Sequence, residues 1–258
     1  MSESKKIVIL KLGTATLTKN TEYISRGKIE EIARQIQRLK DDFRFIIVSS
    51  GAIAVAKQFV QLAGKKDISV KQALASIGQP HLMRIFMEVF SDLGLHCSQC
   101  LISYPDFENE KARLNIKGTI SVLLENDYIP IINENDTVAT EEIQFGDNDK
   151  LAGKAAELLG VDLLLVATNT NGIYKNYSAE AVNETLSVIE DLDEVSKFVE
   201  NVKSSQGSGG MHSKIEAARI AQRAGIETWL VNGHEEDFIQ KAIDNQLIFS
   251  KILPKKRD

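Results

Sequence analysis

Short, continuous apolar runs alternate along this chain with longer segments whose apolar residues recur every three or four positions. Ile7-Val8-Ile9-Leu10, Phe45-Ile46-Ile47-Val48, Ile129-Pro130-Ile131-Ile132, Leu163-Leu164-Leu165-Val166-Ala167 and Thr228-Trp229-Leu230-Val231 are the clearest runs. Runs of this length without polar alternation mark strands buried on both faces. After the first, Ile29, Ile32, Ala33, Ile36 and Leu39 share one helical face, which predicts a helix over 28–40. Further helices are predicted over 52–62, 70–93, 109–125, 150–159, 213–224 and 236–243. The helix over 70–93 is expected to break near Gly78-Gln79-Pro80, since proline lacks a backbone donor and crowds the preceding turn. A strand is predicted over 97–103 and an extended piece over 248–253. Residues 133–149 are polar, with room for a small hairpin, and residues 174–206 read as loop-rich. Buried strands separated by amphipathic helices predict an α/β fold: a three-layer α/β/α sandwich with a mainly parallel central sheet.

The 258 residues suit one large domain or two small ones, and no linker-like stretch divides them. A formal net charge of −5 argues against a general nucleic-acid binder. No apolar run approaches the ~20 residues of a membrane helix, and the start of the chain lacks the pattern of a secretion signal. A reducing cytoplasm fits the two cysteines. Cys97 and Cys100 form a C-x-x-C, but three positions apart on a strand they would point to opposite faces.

Polar loops follow three of the buried runs, where α/β sheets bind ligands, and a fourth polar loop leads into a helix. Lys11-Leu12-Gly13-Thr14 offers an ammonium beside a backbone that a ligand can approach closely. A lysine reaching solvent from a strand end would look the same. Ser49-Ser50-Gly51-Ala52 opens a helix, either as an anion site or as an ordinary cap. Asn133-Glu134-Asn135-Asp136 and Gly146-Asp147-Asn148-Asp149 gather amides and carboxylates that suit an amino acid, a lysine or a magnesium shell. Solvated turns use the same residue types. Gly207-Ser208-Gly209-Gly210-Met211-His212-Ser213-Lys214 leads a glycine-rich loop into a helix, placing donors and a cation against phosphates. It is neither a Walker A loop nor a dinucleotide fingerprint.

Two lysines, two anion loops and a carboxylate cluster point to phosphoryl transfer, which depends on positioning and charge neutralisation. Lys11 and Lys214 would flank the moving group and Asp149 would orient them. No general base stands out among the loops. An acceptor that is already a carboxylate needs none. His81, His96, His212 and His234 form no spaced cluster.

These loops, in this order, resemble the amino acid kinase family. The matching stretches are Val8 to Thr14, Val48 to Ala54, Ile131 to Thr140, Gly146 to Asp149 and Gly209 to Lys214. The resemblance is strongest to the branch acting on L-glutamate. It implies ATP-dependent phosphorylation of the γ-carboxylate to γ-glutamyl phosphate, the first step of L-proline biosynthesis. Phosphorylation of N-acetylglutamate or aspartate, or a non-catalytic sensor on the same fold, are the alternatives. By matching position, Lys11, Lys214 and Asp149 are the catalytic group. Ser50, Gly51, Ala52, Asn133, Glu134, Asp136, Asp147 and Asn148 bind the acceptor. Lys11, Gly13, Thr168, Asn169, Ser208, Gly209, Gly210, Met211, His212, Ser213 and Lys214 bind ATP. Asn169 departs from the Asp of many relatives. Mg2+ is expected on the ATP phosphates, with no protein ligand set.

The resemblance also implies one kinase domain over 1–258, with about 1–150 mainly for the acceptor and 151–258 mainly for ATP. No PUA domain, which many bacterial relatives carry, is expected. Proline as feedback inhibitor, coupling to glutamyl phosphate reductase and a homo-oligomeric state, dimer or tetramer, are further family expectations.

Overall fold

The apolar runs become strands of one eight-stranded sheet, and the amphipathic segments become helices on its two faces. The computed structural model describes residues 5–19, 21–62, 67–139, 148–175, 184–199 and 210–255. The first half contains β1 (Lys6–Leu12), α1 (Thr14–Thr18), α2 (Arg26–Leu39), β2 (Phe43–Ser49), α3 (Ala52–Ala56), α4 (Ile68–Asp92), β3 (His96–Ile102), α5 (Tyr104–Glu108), α6 (Glu110–Glu125) and β4 (Tyr128–Glu134). The second contains α7 (Asp149–Leu159), β5 (Leu163–Thr168), β6 (Val188–Ile189), α8 (Leu192–Val199), α9 (Met211–Arg223), β7 (Glu227–Asn232), α10 (Phe238–Ile243) and β8 (Ser250–Ile252). The strand order is β3-β4-β2-β1-β5-β7-β8-β6. Every pairing is parallel except β7 with β8.

The period-two geometry of strands divides the apolar residues between two cores. Val8, Leu10, Leu12, Phe45, Ile47 and Leu165 pack with Ile29, Ile32 and Ile36 of α2, Leu82, Phe86 and Phe90 of α4, and Phe238 of α10. Ile9, Ile46, Val48, Leu164 and Val166 pack on the other face with Ile120 and Leu124 of α6, Leu151 of α7 and Ile215 of α9. The α/β/α sandwich expected from the pattern is therefore the observed architecture. Cys97 joins the first core and Cys100 the second, so β3 holds the thiols on opposite faces. Burial pushes both up, Cys97 to about 11.

Two expected helices differ from the observed ones. α3 stops at Ala56 rather than continuing to residue 62, and a tight turn follows in which Phe59 N–H donates to the Ala56 carbonyl. The reason is lost burial: Val55 and Ala56 are buried, but Phe59 and Leu62 are exposed. α4 runs unbroken through Pro80. A proline inside a helix costs about 3 kcal/mol, but buried residues flank it on both sides, Leu74 and Ala75 before, Leu82, Met83 and Phe86 after. Gly78 adds a close seat for the helix. A Cβ there would stand 1.8 Å from the Ala52 carbonyl oxygen, so only glycine lets α4 lie this near α3. β6 and α8 are the modest elements expected within the loop-rich segment. Of the stretch 133–149 in which a small hairpin is expected, residues 140–147 lie outside the described residues.

No described helix is long and apolar enough to cross a membrane.

Candidate active site

Lys11 lies near the carboxyl end of β1 on the same side of the strand as Ile7 and Ile9, so it emerges on the face covered by α7 and α9. Only 2% of it is exposed. There it meets Asp149, the first residue of α7, which is fully buried. Lys11 Nζ forms an ion pair with Asp149 Oδ1. Lys214 Nζ, from the first turn of α9, donates to Asp149 Oδ2 at 2.8 Å, and Ser213 Oγ donates to the same oxygen at 2.9 Å. Burial alone would raise the Asp149 carboxyl, but the Lys11 and Lys214 ammonium groups outweigh it and hold the carboxyl well below the usual range.

A missing side chain brings α9 this close. One turn beyond Asp149, Gly153 faces Ala217, one turn beyond Lys214. A Cβ at 153 would come within 2.8 Å of the Ala217 carbonyl oxygen.

A cavity of about 470 Å³ opens beside the carboxyl ends of β2 and β4. Thr14, Thr18 and Tyr23 form one wall; Ser50, Gly51 and Ala52 a second; Asn133, Glu134, Asp136 and Asn148 a third. Gly51 makes the entry to α3 with φ of 110°, a left-handed conformation that strains any side chain. Ser50 Oγ is buried and has no hydrogen-bond partner among the described residues, an unusual state for a hydroxyl and one that a ligand would relieve. Asp136 is half-buried, and burial pushes its carboxyl up to about 6.

The two asparagines are tied into a buried amide chain. Asn148 Nδ2 donates to the Ser49 main-chain carbonyl and to Asn133 Oδ1, both at 2.6 Å. Asn133 Nδ2 donates to Gln79 Oε1 at 2.7 Å, and Gln79 Nε2 to Gln99 Oε1 at 2.9 Å. Gln79, expected only to mark a helix break, instead sits in the middle of α4 and touches the site through Asn133. Its helical neighbours carried the signal, since it stands one turn beyond Ala75 on a buried face.

Of the remaining candidates, Thr168 ends β5 and is buried, while Asn169 is exposed with Oδ1 3.0 Å from His234 Nε2. The sequence gives no reason to single out His234, which reaches Asn169 only because β7 runs beside β5. Partial burial, then the charges of Lys28 and Lys19, push its ring below the ordinary imidazole value. Gly210, Met211 and His212 lead into Ser213 and Lys214 at the start of α9. No hydrogen bond among the described residues links Thr168 or Asn169 to this segment. Asp147, Ser208 and Gly209 lie outside the described residues.

Comparison with known proteins agrees with this fold. The model of the amino acid kinase family matches residues 6–232. Glutamate 5-kinase from Shewanella oneidensis is 38% identical over 93% of this chain and 66% of its own length. Glutamate 5-kinase from Proteus mirabilis is 38% identical over 95% of this chain and 68% of its own. The chain thus spans about two thirds of the length of these relatives. Among solved structures, carbamate kinase from Giardia lamblia bound to AMP-PNP superposes with a TM-score of 0.69 at 17% identity, covering 98% of this chain and 99% of that one. UMP kinase from Ureaplasma parvum gives 0.66 at 16% identity, covering 97% and 100%. At those identities the structures speak for the fold, and the family match speaks for descent: the chain belongs to the amino acid kinase family.

Proposed function

We propose that the chain transfers the γ-phosphoryl group of ATP to the γ-carboxylate of L-glutamate, forming γ-glutamyl phosphate and ADP. The observation that carries this reading is the Lys11–Asp149–Lys214 cluster beside a cavity walled by Ser50, Asp136 and Asn148. Two ammonium groups share one carboxylate, so the cluster keeps a positive charge where a phosphoryl group gathers negative charge in the transition state. The acceptor oxygen is already anionic and attacks without a base. Similarity to glutamate 5-kinases supports glutamate over N-acetylglutamate or aspartate. In this reading Ser50, Gly51, Ala52, Asn133, Glu134, Asp136 and Asn148 form the acceptor side. Gly13, Thr168, Asn169 and the start of α9 form the nucleotide side, within one kinase domain. Mg2+ enters on the ATP phosphates. Both Asp149 oxygens already engage lysines, which fits a carboxylate that holds cations of the chain rather than a metal. Cytoplasmic proline biosynthesis, with proline as inhibitor, glutamyl phosphate reductase as next enzyme and a homo-oligomeric state, belongs to the same reading.

Hydroxylamine traps an acyl phosphate as a hydroxamate. With ATP and Mg2+, hydroxamate should form with glutamate in preference to N-acetylglutamate or aspartate. No product at millimolar glutamate, or preference for either rival, sinks the reading.

Asp136 adds a pH signature. Its raised carboxyl is ionised above about pH 6 and neutral below. If the ionised form holds the substrate ammonium, KM for glutamate rises as pH falls through 6, approaching roughly tenfold per unit. Asp136→Asn should bind weakly and lose that pH dependence. A wild-type KM that stays flat between pH 7 and 5 counts against the assignment. The stability sign is opposite. The unfolded carboxyl titrates near an ordinary ~3.9, so the folded chain takes up this proton first and recovers stability as pH falls through 6.

A further inference from the structure

We propose that Gln79 is a positioning residue of the acceptor cavity: through Asn133 it locks the Asn148 side chain so that its carbonyl oxygen faces the cavity and accepts from the substrate ammonium. The ammonium part of this rests on the glutamate reading above; the lock itself does not.

The polarity of the amide chain is set at one end by a group that cannot be reversed. The Ser49 main-chain carbonyl only accepts, so the Asn148 atom 2.6 Å from it is the NH2. The same NH2 reaches Asn133, whose facing atom must then be oxygen. The main-chain N–H of Glu134 donates to that oxygen at 2.9 Å, which agrees. Asn133 Nδ2 is thereby turned to Gln79, and only an acceptor at position 79 can meet it. Gln79 passes its own donor outward to Gln99, which lies on the exposed edge strand β3 and is free to adapt.

Asn133, Asn148 and Gln79 are all buried. Turning any one of them over would set two donors or two acceptors against each other where water cannot intervene. Both amide protons of Asn148 are used inside the protein. Its side chain, which lines the cavity, therefore has only Oδ1 to offer. An acceptor suits an ammonium. The reversed amide would offer donors and suit a carboxylate.

Gln79→Met removes the acceptor at nearly constant volume, and Gln79→Glu keeps an acceptor to which Gln99 can turn its NH2. The diagnostic quantity is selectivity for glutamate over glutarate, which lacks the ammonium, measured as calorimetric affinity and as kcat/KM. Gln79→Met should lower that selectivity about tenfold, almost entirely through KM for glutamate, with KM for ATP unmoved. Gln79→Glu should recover most of it. Equal weakening toward both acids is what a merely structural role would give, and it overturns the proposal. Unchanged selectivity overturns it too.

A second measurement needs no substrate. In a chain carrying 15N-labelled asparagine, the Asn148 side-chain amide protons should exchange slowly with solvent and at least tenfold faster in Gln79→Met. Fast exchange in the wild type means that no lock exists. Protected Asn148 protons in a wild-type chain that fails to turn over glutamate would keep the lock and sink the substrate assignment instead.

Discussion

Lys11→Ala and Lys214→Ala each lower kcat by roughly two to three orders of magnitude, the usual effect of deleting one preorganised charge from a transition-state site. In the proposed reaction the loss falls on kcat because the phosphoryl oxygens gather their extra charge only during transfer, while glutamate would be held by other walls of the cavity. KM for glutamate should move little. Folding should survive either change, since Asp149 keeps the other lysine: Lys11 still meets Oδ1 when Lys214 is gone, and Lys214 still meets Oδ2 when Lys11 is gone. Steady-state kinetics with ATP and glutamate, alongside a thermal melt of each variant, checks both halves. A variant of either lysine that keeps wild-type kcat refutes the assigned chemistry.

Asp149→Asn is expected to damage both activity and stability. The carboxylate is fully buried and is shared by two ammonium groups, one of them on a lysine that is itself almost wholly buried. Without it the two ammonium groups lose their shared counter-charge, which costs about 3–5 kcal/mol in comparable buried sites. Lys11 and Lys214 also lose the anchor that aims them, so kcat falls at least as far as for either lysine change. The acid dependence carries the same signature. A carboxyl held well below its ordinary range adds stability that is complete above ~pH 4, where the unfolded chain has also ionised, and that disappears on further acidification. Urea melts of the wild type should therefore lose stability below pH 4 by more than those of Asp149→Asn. Parallel acid profiles for the two chains would show that Asp149 is not held as described.

Much of the fold could be read from spacing. β1, β2, β4, β5 and β7 are buried on both faces, and nothing but a continuous apolar run satisfies such a position. α2 and α7 have one wet face and one dry face, and their period shows it. What spacing could not reveal was tertiary. Pro80 argues locally for a break, yet α4 continues because Gly78 seats against Ala52 and apolar residues are buried on both sides. Gln58 and Phe59 look helical, but Phe59 stays largely exposed even where its ring stacks on His81, and α3 ends.

The site divides in the same way. Lys11, Asp149 and Lys214 stood out because each follows or opens an element beside glycine or a cluster of amides. The structure joins all three. Gln79 is marked only by its place on the buried face of α4, and an amide in a helix is ordinary until its partner is known. Asn133 and Asn148 looked like direct ligands of an amino acid, but much of their bonding is directed inward. The Asn169–His234 contact spans 65 positions and depends on the pairing of β5 with β7.

The close seat of Gly153 against Ala217 has a mechanical consequence. Asp149 opens α7 and Lys214 lies in the first turn of α9, and the two helices touch backbone to side-chain void one turn further on. A side chain at 153 would force the two helices apart. The close seat therefore holds Asp149 and Lys214 on two helices packed directly against each other. In the proposed transfer, charges already placed in this way need little rearrangement as the phosphoryl charge develops.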